Sequence, residues 1–254
     1  KVIFISTPKG KNHFHRLCMQ PNYDDRYAYF HFSSYDNPMI DPRELDERKR
    51  SLPDHIFRQE YLAEFLDNGS GLFKNIRDCI KPISPGAKAY AGLDIGRADD
   101  YTVLNILDED GQQVYVNRWR HQEWTKIIDS VADVINRHRA TTLIEINNQG
   151  DVFHEMLRDK CRNLIVPFTT TSKSKPIIIE DLAMAFEQRE ITLQDVDWLI
   201  DELENFTYIY NVNTRAVQYS APIGLHDDGV VSLALAWHCR KTQQNKGRYQ
   251  VIRA

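Results

Sequence analysis

Three acidic positions interrupt apolar runs in this sequence. Asp94 closes the run Tyr90-Ala91-Gly92-Leu93, Glu145 splits Leu143-Ile144 from Ile146, and Asp227-Asp228 stands directly before the apolar stretch Val230 to Trp237. A carboxylate inside so apolar a strand is costly unless a charge pairs with it. That charge is a Lys or Arg, or a metal ion. If the three positions converge, they form a carboxylate nest with little basic counter-charge nearby in sequence. Oxygen-only ligands of this kind suit Mg²⁺ or Mn²⁺ rather than zinc. Two such ions, about 3.5–4 Å apart, activate a water and stabilise the leaving oxygen of a phosphodiester. Each acid alone also has an ordinary reading. Asp94 is then a solvated turn aspartate, Glu145 an edge-strand residue facing water, and Asp227 a helix N-cap.

These residues need elements to position them. Lys88 to Ile95, Tyr101 to Leu107 and Gln113 to Arg118 read as three antiparallel strands. Gly96 permits the first turn, and Asp108-Glu109-Asp110-Gly111 makes the second. On the first strand Gly92 shares a face with Asp94 and leaves room beside it. Trp124 to Arg139 is amphipathic, with Ile127, Val131, Val134, Ile135 and His138 at helical spacing. Thr142 to Ile146 is a short buried strand, Asp151 to Cys161 a helix, and Leu164 to Phe168 another strand. Pro176 to Arg189 and Trp198 to Asn205 read as helices, Thr207 to Ile209 and Ala216 to Ser220 as a hairpin. Asp228 to Cys239 is an apolar helix, and Arg240 to Arg248 reads as a mobile basic tail. Three strands followed by alternating helices and strands predict an α/β fold, a mixed sheet with helices on both faces.

Upstream, Lys1 to Ile5 and Tyr27 to Phe32 read as strands. The chain thus begins inside a strand and reads as cut from something longer. Asp41-Pro42 starts a charged helix, with Asp41 as cap and Pro42 in the first position. Asp54 is read as the cap of a helix carrying Ile56, Phe57, Tyr61 and Leu62. Asp67-Asn68-Gly69-Ser70-Gly71 is the clearest linker. It predicts two domains, residues 1–70 and 71–254.

The 254 residues are 42% hydrophobic and 27% charged, enough for a packed core. No run of about 18 apolar residues exists, so no membrane span is expected, and Lys1 to Ile5 is too short for a signal peptide. Cys18, Cys79, Cys161 and Cys239 lack CxxC spacing and read as ordinary thiols. The net charge of -4 does not advertise a polyanion partner, though local basic surface decides such binding. No phosphate loop of the GxxxxGKS or GxxxxGKT type occurs, so ATP hydrolysis by this chain is not expected.

Taken in order, several motifs resemble one family. They are Gly92-Leu93-Asp94-Ile95-Gly96 with Asp100-Tyr101-Thr102-Val103, then Leu143-Ile144-Glu145-Ile146-Asn147, then Gly224-Leu225-His226-Asp227-Asp228 before Ser232 to Ala236. Together they resemble the nuclease domain of the phage terminase large subunit, the DNA-packaging motor of tailed phages. Ile5 to Gly10, Asp36-Asn37-Pro38, Gln59-Glu60-Tyr61 and Ala63-Glu64-Phe65 resemble the end of its ATPase domain and the segment joining it to the nuclease.

The resemblance implies a ribonuclease H-like fold and metal-dependent endonuclease action on concatemeric viral DNA, with two Mg²⁺ or Mn²⁺ ions. Carried over by position, Asp94, Glu145 and one of Asp227 or Asp228 are metal ligands and catalytic residues. Asp100 is a supporting ligand. Many relatives have aspartate where this chain has Glu145. The resemblance also implies double-stranded DNA, the small terminase subunit and the portal protein as partners, and the host cytoplasm as the setting. This chain alone is expected to be monomeric and off the membrane. Arg97, Lys173, Lys175 and His226 are candidate DNA contacts, as are Arg240, Lys241, Lys246 and Arg248.

Other readings remain. A non-catalytic DNA-binding or scaffold module with idle acids fits the same sequence. An actin-like ATP-binding fold shares the Asp94-Ile95-Gly96 turn but needs a second such turn and a Gly-rich loop, and the chain has only 11 glycines. A resolvase or transposase of the same fold does not account for the amino-terminal motifs.

Overall fold

The computed structural model describes residues 2–8, 13–22, 24–66, 71–96, 100–146, 150–211, 216–222 and 225–250, without the side chains of 13, 22, 150–151, 209–211, 216–217 and 245–250. The chain divides into two compact units. One comprises Lys1–Leu72 and Thr207–Tyr219, the other Phe73–Phe206 and Ser220–Ala254.

The first unit holds helices α1 (His13–Met19), α2 (Pro42–Ser51) and α3 (Asp54–Glu60). Asp41 accepts the Arg43 N–H at 2.8 Å and Pro42 opens the helix, so the expected cap of α2 is present. The expected cap of α3 is not. Pro53 occupies that position and Asp54 lies in the first turn, where its charge still suits the helix dipole. The two upstream stretches expected as strands are also corrected, since residues 2–8 and 27–32 form no strand. Ile3, Ile5, Phe30 and Phe32 are largely exposed. Their residue types favour a pleated surface, but strand preference expresses itself only against a partner strand. The hairpin of strands β6 (Thr207–Asn211) and β7 (Ala216–Ser220) forms as expected, its turn residues lying outside the described set. His55 of α3 stacks on Tyr208 with ring centroids 4.8 Å apart.

The second unit is built on a five-stranded sheet in the order β3-β2-β1-β4-β5. Its strands are β1 (Ala89–Asp94), β2 (Thr102–Asp108), β3 (Gln113–Trp119), β4 (Thr141–Glu145) and β5 (Ile165–Phe168). The first three pair antiparallel, while β4 is parallel to both β1 and β5. Parallel neighbours need crossovers, which α4 (Trp124–His138) and α5 (Gly150–Lys160) supply. Both helices cover the face carrying Ala91, Leu93, Leu104 and Ile106, through Ile128, Val131, Ile135, Phe153 and Leu157.

The opposite face is covered by α8 (Asp228–Gln250), flanked by α6 (Ser174–Glu187) and α7 (Asp197–Asn205). Lys241 of α8 reaches Asp181 of α6 at 2.7 Å. The stretch expected as a basic tail continues α8. From Arg240 the backbone stays helical to Gln250, because Lys, Arg and Gln are good helix formers even where the apolar pattern stops. Gly92 explains why α8 lies on β1. A Cβ there would collide with the Ser232 carbonyl and the Ala236 amide. Glycine at this position admits a helix, rather than opening room for a ligand. Among the described residues no helix is long and apolar enough to cross a membrane.

Candidate functional site

Register places the first two acids side by side. Leu93 of β1 pairs with Ile144 of β4, and Asp94 and Glu145 each come one residue later. Leu93 and Ile144 belong to the core under α4 and α5, so alternation turns both acids to the α8 face. Their side chains lie within hydrogen-bonding contact of each other. Burial, then the charge of Glu145, then that of Asp228, push the Asp94 carboxyl well above the usual carboxylate range.

The third acidic position arrives on α8. Asp227 immediately precedes the helix and its carbonyl accepts the Val231 N–H at 2.9 Å. Asp228 is the first helical residue, and its Oδ2 accepts the Tyr101 N–H at 3.0 Å. Tyr101 lies between Asp100 and the first residue of β2, so the β1–β2 connection itself holds the acid of α8. Burial, opposed by that hydrogen bond, raises the Asp228 carboxyl to about 6. His226 Nδ1 lies 3.8 Å from Asp100 Oδ1 and 3.7 Å from Asp228 Oδ2. Asp100, His226 and Asp228 each offer a donor atom, all within 4.8 Å of one another.

A buried polar chain fixes the start of α8 against the sheet. Gln113 Nε2 donates to Asn105 Oδ1 at 2.6 Å, and Asn105 Nδ2 donates to Ser232 Oγ at 3.1 Å and the Gly229 carbonyl at 3.3 Å. Ser232 Oγ donates onward to the Gly92 carbonyl at 2.8 Å. All three side chains are fully buried. A satisfied network of this kind fixes one arrangement, because any shift strands a desolvated polar group.

Two charged groups complete the surroundings. Glu202 of α7 accepts the Gly229 N–H at 2.8 Å, within the first turn of α8. Burial raises its carboxyl to about 7 against that hydrogen bond. Its other oxygen is 3.7 Å from Arg118. Lys175, in the first turn of α6, places Nζ 3.1 Å from Asp227 Oδ2.

The acids read from sequence therefore meet at one end of the sheet, on the strand ends and the helix start, with His226 among them. Of the proposed DNA contacts, Lys173 is exposed and Lys175 is paired with Asp227. Arg97 lies outside the described residues, as do the side chains of Lys246 and Arg248. Arg240 sits over the Trp237 ring at 4.6 Å and donates to the Glu109 carbonyl at 2.9 Å. Glu202 and Asn105 are absent from the sequence expectations. The signal was available: each is a polar residue in an apolar run, Leu199-Ile200-Asp201-Glu202-Leu203 and Val103-Leu104-Asn105-Ile106.

No family model matches the sequence. The chain is similar to the large terminase subunit of Thermus virus P23-45, 27% identical over 93% of this chain and 55% of that protein. It therefore spans about half the length of the relatives it matches. Its structure is similar to the large terminase nuclease of thermophilic phage G20c, with a TM-score of 0.59 and 23% identity over 66% of this chain and 98% of that one. That nuclease has also been solved with bound magnesium. The large terminase of a further thermophilic bacteriophage superposes over 93% of this chain and 60% of its own, with a TM-score of 0.65 and 13% identity. The mixed five-stranded sheet and its flanking helices thus have the ribonuclease H-like fold of these nucleases.

Proposed function

We propose that this chain, a relative of the phage terminase large subunits with their ribonuclease H-like nuclease fold, is a metal-dependent DNA endonuclease. One observation carries the reading. Asp94 and Glu145 lie against each other at the ends of parallel strands, facing Asp228 on the helix start, and burial and mutual repulsion hold the Asp94 carboxyl well above the usual carboxylate range. A buried nest of mutually repelling carboxylates is a site that a divalent cation would relieve. The donor set fits Mg²⁺ or Mn²⁺. Asp94, Glu145 and Asp228 would hold the ions, with Asp100 and Asp227 beside them.

Bound there, two divalent ions supply Lewis-acid activation of a water and charge stabilisation at the phosphodiester. The chain does the positioning. Tyr101 orients Asp228, the chain from Gln113 to Gly92 fixes α8, and Lys175 neutralises Asp227 until the acids are otherwise engaged. His226 and Lys173 would meet DNA phosphates.

In the full-length protein the substrate would be concatemeric viral DNA during packaging, in the host cytoplasm, with the small terminase subunit and portal as partners. Residues 1–70 would be the end of the ATPase domain and the linker, and 71–254 the nuclease. The match to the P23-45 protein covers 93% of this chain and so runs through parts of both segments.

The Lys175–Asp227 ion pair favours a second reading, a DNA-binding module whose acids are balanced internally. Incubating supercoiled plasmid with the protein and Mn²⁺ or Mg²⁺ separates the two. Nicking that a chelator abolishes supports the nuclease, whereas retention of intact plasmid at every metal concentration supports the module.

A further inference from the structure

Arg118 and Arg120 alternate along the edge strand β3 and its end, and both reach Tyr101. The guanidinium of Arg118 lies 4.2 Å from the Tyr101 ring centroid and 4.5 Å from that of Trp198. Its charge is answered by Glu202 at 3.7 Å. Arg118 is therefore committed to the fold. Its register partner Val103 pairs in turn with Asp94, which sets this end of β3 across the sheet from the acids.

Arg120 is different. Its guanidinium lies 4.9 Å from the Tyr101 centroid, and Nη1 makes one long hydrogen bond, 3.4 Å, to the Tyr101 hydroxyl. Its Nε is shielded from solvent and has no acceptor. Among the described residues no carboxylate forms an ion pair with it. A guanidinium presents five donors in a planar fork, and a desolvated donor left without an acceptor is costly. The fork is thus held on a ring with its capacity unfilled.

What it faces follows from Tyr101. The same residue gives its backbone N–H to Asp228 and meets the His226 ring edge to face at 5.1 Å. Arg120 is one side chain away from the acidic nest, and it is a cation beside a site of net negative charge. A bidentate oxyanion is the partner that matches a guanidinium fork.

We propose that Arg120 is a phosphate-binding residue that receives a backbone phosphate of the DNA strand flanking the scissile bond. The proposal rests on the nuclease reading for the identity of the ligand. Tyr101 then links two tasks: its backbone orients a metal-binding acid, and its ring carries the arginine that registers the strand on it. Such a contact carries no sequence information, so it suits an enzyme with little sequence preference.

The test measures duplex binding across a salt titration in an Asp94→Asn background, where cutting is suppressed. Arg120→Gln, Arg120→Lys and the control Arg137→Gln are compared with the parent. Arg137 is exposed on α4, the helix on the far face of the sheet, and pairs with its helical neighbour Asp133. Arg120→Gln is expected to weaken binding about tenfold at low salt, the loss of a charged hydrogen bond. Its slope of log affinity against log salt should fall by about one. Arg120→Lys should keep the slope and lose part of the affinity, because lysine binds phosphate as a point charge. Arg137→Gln should match the parent. Unchanged affinity and slope in folded Arg120→Gln overturns the proposal. So does a lowered melting temperature with the salt slope intact, which is the mark of a purely structural arginine. Plasmid cleavage by the unmutated protein reports separately on the nuclease reading, so the two can fail independently.

Discussion

Lys175 Nζ lies 3.1 Å from Asp227 Oδ2, so the acidic nest carries its own cation. Both side chains are about a quarter exposed, which leaves the pair partly screened and able to open. A lysine in that place competes with a divalent ion for Asp227, and once displaced it becomes available to phosphate.

Lys175→Met should therefore have two opposite effects. The metal concentration giving half-maximal thermal stabilisation should fall several-fold, and duplex affinity should fall as well. Melting curves against Mn²⁺ and a binding titration read both. Metal affinity that is unchanged or weaker would mean that Lys175 does not compete at Asp227.

Asn105→Ala should act at a distance from the chemistry. It strands the Gln113 donor and removes the bonds to Ser232 and Gly229, all in a fully buried setting. A loss of about 1–3 kcal/mol is expected for a stranded buried polar group. Because those bonds also seat the start of α8, the metal requirement for cleavage should rise beyond what the lost stability explains. Chemical denaturation and a metal titration of plasmid nicking distinguish the two contributions. An unaltered metal requirement would limit Asn105 to a purely structural role.

Much of this arrangement was legible in the sequence. The apolar runs that Asp94 closes and Glu145 interrupts identified strands, and the apolar stretch after Asp228 identified a helix, because each pattern reflects burial against neighbours close in sequence. That the two strands lie side by side with Leu93 opposite Ile144 was not legible, since register is set by packing of the whole sheet. The purpose of Gly92 depends on a helix more than a hundred residues away, so the local sequence could show only a missing side chain. Lys175 read as a free basic residue because its partner Asp227 is remote in sequence. Residues 27–32 have strand-like composition, and only a partner could have made them a strand.

Glu202 offers a pH signature. Its folded carboxyl titrates at about 7 against an ordinary value of 4.5, chiefly because it is buried. Between those values the folded protein keeps a proton that the unfolded chain has released. Raising the pH through that window therefore favours unfolding, and the loss levels off above about 7. Glu202→Gln keeps an acceptor for the Gly229 N–H but does not ionise. Its stability relative to the parent should be flat below about pH 4.5 and should climb toward pH 7, by on the order of 3 kcal/mol at most. Melting temperatures of both proteins across that range, without metal, check the sign. A difference that shrinks with rising pH would place the Glu202 carboxyl below its ordinary value.

Asp94→Asn decides whether the acids are chemical or architectural. The substitution keeps shape and lets the amide donate to Glu145. It removes one negative charge from a site where Glu145, Asp228 and Asp227 all raise the Asp94 carboxyl. Without metal the variant should fold and melt at or above the temperature of the parent, because mutual repulsion is relieved. With metal the expectation reverses. The parent should gain stability from Mn²⁺ or Mg²⁺ by mass action and the variant should gain much less. Plasmid cleavage should fall by orders of magnitude. Glu145→Gln should behave alike, while Asp227→Asn and Asp228→Asn should differ from each other, with the larger loss at Asp228. That ranking follows from the site: Asp228 is oriented by the Tyr101 N–H toward the buried acids, whereas Asp227 already has Lys175. Sequence alone left the choice between Asp227 and Asp228 open. Melting and cleavage measured on the same four variants settle the matter. Early melting of Asp94→Asn with cutting per folded molecule unchanged would make the carboxylate a structural group and would remove the centre of the nuclease reading.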